Sequence, residues 1–137
     1  MPTGFTFHSF SHVDAALGAA TGSKIGVALV TPPGGAATAG PEIYLEMYRQ
    51  GHAHFPEAES NATIDCGDNA GIAMRALRCG WRNIVFTGDD DVQQKLQNMT
   101  DQLGGTLERS RPNTIDLIAS RDPVWAIRQA LSLSTPS

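Results

Sequence analysis

The apolar run Ile25–Val30, followed at once by Thr-Pro-Pro-Gly-Gly, narrows the folds open to this chain more than any other feature. A strand with one wet face alternates apolar and polar residues. A run without alternation belongs to a strand covered on both faces, the pattern of parallel sheets. The run is also far shorter than the ~20 apolar residues that cross a bilayer.

Similar short runs recur between amphipathic segments. Phe5–Phe10 alternates like a half-buried strand, and Ser11 is placed to cap a helix with Val13, Ala16, Leu17 and Ala20 on one face, closed by Gly22. Lys24–Val30 is the second strand. Pro41 opens a helix expected to turn Ile43, Tyr44, Met47 and Tyr48 inward and to stop near Gly51. Ala62–Cys66 reads as a strand, and Ala70–Cys79 as a helix with Gly80 at its C-terminal cap. Asn83–Thr87 is the next strand. Asp89 or Asp90 caps a helix with Val92, Leu96, Met99 and Leu103 inward, ended by Gly104-Gly105. Thr106–Glu108 is a fifth strand, and Thr114–Ala119 a candidate sixth. Asp122-Pro123 starts a last helix with Val124, Ile127 and Leu131 inward, and Ser132–Ser137 is expected to fray.

Strands alternating with helices of this length predict an α/β fold: an open, mostly parallel five-stranded sheet with helices on both faces. The expected strand order is 2-1-3-4-5, flavodoxin-like, with half-barrel-like βα repeats as the alternative. At 137 residues the chain is expected to form a single domain spanning residues 1–137. A net charge of −4 argues against a nucleic-acid partner, whose footprint is a basic face. No Lys or Arg precedes Lys24 and no apolar stretch follows the start, so a secretory leader and a membrane partner are not expected. The expected compartment is the cytoplasm, with Cys66 and Cys79 reduced.

In open parallel sheets, ligands bind beyond the carboxyl ends of the strands. His8–His12, Thr31–Gly40, Cys66–Asn69, Thr87–Asp91 and Arg109–Asn113 fall there. The long Thr31–Gly40 stretch is expected to be a mobile binding loop. In it Gly34, Gly35, Thr38 and Gly40 are candidate ligand contacts, because small residues bare their N–H groups. Gly35 and Gly40 have the spacing of a phosphate-binding loop. Pro41 and Glu42 replace the Lys and Ser/Thr that such a loop needs, so nucleotide binding is rejected. Arg109 and Arg111 are candidate partners for a small polar or anionic ligand. His12, Asp68 and Asp89 are the candidate catalytic residues, with His8 or His12 pairing Asp65 or Asp68 as a general base. Asp68, Asp89 and Asp90 are weak candidates for a cation site, with helix capping the leading explanation. No metal or cofactor is expected.

No nucleophile signature or cofactor fingerprint is present. The leading expectation is therefore a non-catalytic module that self-associates as a homo-oligomer or binds another protein. The alternative is a small enzyme or ligand-binding protein acting on a small polar or anionic metabolite at the carboxyl edge.

Overall fold

The structure, a computed structural model, describes residues 3–23 and 25–134. The elements in chain order are β1 (Thr3–Thr6), α1 (Phe10–Thr21), β2 (Val27–Val30), α2 (Gly35–Ala39), α3 (Pro41–His54) and β3 (Ser60–Asp65). They are followed by α4 (Ala70–Cys79), β4 (Asn83–Val85), α5 (Asp90–Gln102), β5 (Thr106–Glu108), β6 (Ile115–Asp116), a 3-10 turn at Leu117–Ala119 and α6 (Pro123–Ser134). The fold is α/β with a parallel sheet, as the covered run at Ile25–Val30 requires. No helix among the described residues is long and apolar enough to cross a membrane.

Among the described residues the sheet has six strands, not five, in the order β5-β4-β3-β2-β1-β6. The expected 2-1-3-4-5 order is therefore corrected. From β1 to β5 the chain advances one neighbour at a time, as in a half-barrel-like repeat, and then β6 joins the free side of β1. Thr3 faces Val27 across β1 and β2, and Phe5 faces Ile115 across β1 and β6. The Val27 N–H donates to the Glu59 carbonyl and the Thr31 N–H to that of Thr63, so β3 runs parallel to β2. The hydroxyls of Thr6 and Thr114 hydrogen-bond beside the β1–β6 pairing.

Several element ends differ from expectation for local physical reasons. β1 ends at Thr6, and Ser9, not Ser11, caps α1: its Oγ accepts from the His12 N–H. The first helical turn thereby takes in Phe10. The described part of β2 begins at Val27, and Lys24 and residues 135–137 of the expected frayed tail lie outside the described residues. Instead of a ten-residue loop, Thr31–Gly40 contains the single turn α2, with Pro32 and Ala36 buried. The α3 helix runs through Gly51 to His54. Gly51 is a contact glycine: a Cβ there would lie 2.4 Å from Val13 Cγ1.

The inward faces also shift. Pro41, Tyr44 and Leu45 are the buried residues of α3's first turns, whereas Ile43 is exposed. In α5 the buried row is Gln93, Leu96 and Thr100, and Leu103 is exposed. Val124 is exposed where α6 was expected to bury it.

The chain divides into two units: residues 1–30, 46–62 and 113–137, and residues 31–45 and 63–112. The core of the first gathers Phe5, Phe7, Val13, Leu17, Val27, Leu29, Leu117 and Ile127. The second is built on Ile64, Ala73, Ala76, Trp81, Ile84, Phe86 and Leu96. There the buried Trp81 indole donates to the Pro41 carbonyl at 2.9 Å, so a large apolar side chain also satisfies its one polar atom.

Candidate functional site

At the carboxyl edge of the second unit, Asp65 ends β3 almost fully buried. Its Oδ2 accepts from Arg111 Nη1 at 2.9 Å, and its Oδ1 accepts from the Gly67 N–H at 2.9 Å. The same Arg111 nitrogen donates to the Thr31 carbonyl at 2.7 Å, and the buried Thr31 hydroxyl accepts from the Asp65 N–H. A buried carboxylate is tolerable only when paired and hydrogen-bonded, and this one is both. Arg111, read as a ligand contact, thus ties the end of β2 to the end of β3. Cys66 follows Asp65, and its thiol is pushed up to about 12 by burial first and by Asp65 second. It stays protonated at neutral pH and is no nucleophile.

The acidic residues divide their work. Asn69, not Asp68, caps α4, accepting from the Ile72 N–H at 3.0 Å, while Asp68 is exposed. Asp89 caps α5, accepting from the Asp91 N–H at 3.3 Å. Asp90 meets Arg109 at 3.4 Å on the surface. No group of three or more His, Cys, Asp or Glu side chains among the described residues could hold a metal ion.

The glycine-rich stretch spends much of its backbone on itself. The N–H groups of Gly35, Thr38 and Gly40 donate to the carbonyls of Pro32, Gly34 and Ala36. Gly34 and Gly40 occupy the left-handed region with φ of 74° and 96°, which brackets α2 with two chain reversals. Beside Gly40, Glu42 accepts from Arg75 at 2.6 Å, and that bond holds its carboxyl below the usual range.

Sequence reading passed over the residue that matters most here. Gln93 is 4% exposed, on the inner face of α5. Its side-chain amide has no hydrogen-bond partner among the described residues. No described side-chain N or O atom that is sealed from solvent lacks a partner, so this amide is not sealed. It opens on a cavity of about 190 Å³ bounded by Phe86, Thr87, Gly88, Asp90 and Arg109. The cavity lies where β4 hands over to α5 and β5 to the Arg109 turn.

In the first unit, His8 and His12 lie beyond β1. His8 Nε2 hydrogen-bonds Asp116 Oδ1 at 2.7 Å, and the His8 N–H donates to His12 Nδ1 at 3.0 Å. The carboxylate beside this pair is thus Asp116, at the end of β6. Burial chiefly, and His8 next, push the His12 pKa below its ordinary value, while Asp116 opposes them. A wider groove of about 380 Å³ runs past the end of α1 and along α6. Its charged residue, Arg128, is exposed, and no described residue lining it is a buried polar side chain.

No known family model matches the chain, and no curated protein is significantly similar to it.

Proposed function

We propose that this protein is a binding module for a small polar metabolite, held at the carboxyl ends of β4 and β5 in the second unit. One observation carries the reading: the otherwise buried Gln93 presents an unpaired amide to a cavity. An amide held in place by an otherwise buried side chain and bonded to no group of the protein is free to bond a ligand in place of water. The other lining residues include Arg109, Asp90, Thr87 and Phe86, a mixture of polar and apolar types of the kind that orients small ligands. Histidine and cysteine are absent from the described lining, which favours binding over proton transfer near neutral pH.

The test compares wild type with Gln93→Leu. If the amide awaits a ligand, the variant melts no lower than wild type without additives, because the amide bonds to no group of the protein. In wild type, saturable shifts of the Gln93 side-chain amide in ¹H–¹⁵N spectra then appear with members of a panel of small polar metabolites. A destabilised variant together with an unresponsive amide would overturn the reading.

A second reading, self-association, draws on Ile118, Trp125 and Leu133, which are 64%, 61% and 86% exposed in the C-terminal segment of the first unit. Exposed apolar side chains of this size, when contiguous, mark contact surfaces.

A further inference from the structure

The charges around the Gln93 cavity bear on what it takes, an inference that rests on the binding reading above. Asp90 and Arg109 both line the cavity and pair at 3.4 Å, with side chains 88% and 67% exposed. An exposed pair of this kind contributes little to stability, so a ligand can part it at small cost.

The two charges also exclude the simpler ligands. A free anion would find the Arg109 guanidinium, but beside it the Asp90 carboxylate in the first turn of α5. A free cation would find Asp90 and meet Arg109 next to it. A molecule carrying both charges satisfies both residues, and charge-assisted hydrogen bonds are the strong ones. Size limits it further. The volume is about 190 Å³ and open to solvent, which suits a compact ligand. Phe86, only 1% exposed, borders the cavity, and Gly88 is held against its ring: a Cβ there would lie 2.6 Å from Phe86 Cζ. The Gln93 amide offers both a donor and an acceptor as a third point of contact.

We infer that the ligand is a zwitterion the size of a small α-amino acid, its carboxylate toward Arg109, its ammonium toward Asp90 and its remaining polar or backbone atoms toward Gln93.

The test titrates the full ¹⁵N-labelled chain with glycine, L-alanine and L-serine, and separately with propionate and ethylamine, which each keep one charge of alanine. The expected result is saturable movement of the Gln93 side-chain amide and the Phe86 and Thr87 backbone amides with the amino acids. Affinity for propionate and ethylamine is then lower by about tenfold or more. Arg109→Gln and Asp90→Asn alter exposed side chains, so the fold persists and each variant loses most of that preference. Propionate or ethylamine binding as tightly as L-alanine, or a neutral member of the panel binding in place of the amino acids, would overturn the zwitterion and leave the binding reading intact. If neither these probes nor the wider panel moves the Gln93 amide, the binding reading falls and the inference with it.

Discussion

Arg111 Nη1 stands 2.9 Å from Asp65 Oδ2 and 2.7 Å from the Thr31 carbonyl oxygen, so one guanidinium nitrogen serves the ends of two neighbouring strands. Removing the cation leaves a carboxylate whose side chain is 9% exposed without its counter-charge. Arg111→Leu is expected to lower stability by about 3 kcal/mol. Adding Asp65→Asn should recover part of that loss, because the orphaned charge is then gone. Urea unfolding curves of wild type and both variants check it, and a single-variant loss within error of zero would show that the clamp does not stabilise the fold.

His12 gives the fold a pH dependence with a definite sign. Its Nδ1 accepts a backbone hydrogen bond, and burial chiefly holds its pKa below the ordinary 6.5. On acidification the unfolded chain therefore takes up this proton before the folded one does. The stability that the neutral ring contributes is present above pH 6.5 and is lost as pH falls through the lower folded value. Melting temperatures measured from pH 8 to pH 5 should show this fall in wild type. His12→Asn keeps an acceptor near the same place without a titrating ring, and its profile should be flatter over that window.

Gly51 shows how a local rule can mislead. In most helix interiors, exchanging Gly for Ala gains about 1 kcal/mol. Here the new methyl would lie 2.4 Å from Val13 Cγ1 and 3.2 Å from Leu17 Cδ1, so Gly51→Ala should instead cost about 1–3 kcal/mol. Chemical denaturation reads the sign directly.

For self-association, the expected outcome is a dimer or larger species at high micromolar concentration, measured by sedimentation. Trp125→Ser and Leu133→Ser replace exposed side chains, so they should leave the fold intact and yield monomer. A wild-type monomer under the same conditions would sink the idea.

How far the sequence reached depended on whether a feature had a local cause. The α4 bounds, Ala70–Cys79, were legible because Asn69 and Gly80 punctuate them within the chain itself. Thr106–Glu108 was legible as a strand between two glycines and an arginine turn. The strand order was not, because nothing local fixes the side on which each crossover lands, and β6 is two exposed residues, Ile115 and Asp116, with no periodicity to reveal that they pair with β1. The Gln93 site was hidden by the same logic that found α5. Val92, Leu96, Met99 and Leu103 keep a clean apolar spacing, yet the buried row is Gln93, Leu96 and Thr100. Thr100 satisfies its hydroxyl on the Leu96 carbonyl, which lets a polar residue lie inward and rotates the helix away from its apolar stripe. A hint was available: Gln93, Leu96 and Thr100 themselves recur at helical spacing.

The pairing of Phe5 with Ile115 also sets an order of events during synthesis. β1 is made before β2 and can meet it after about twenty further residues, but its other side waits for about a hundred more. Loop closure over so long a separation is slow and is not rewarded until it is complete. A nascent chain released before Ile115 would keep one edge of β1 open, carrying the buried apolar side chains of Phe5 and Phe7 beside it. β6, made long after β1, thus closes its open side.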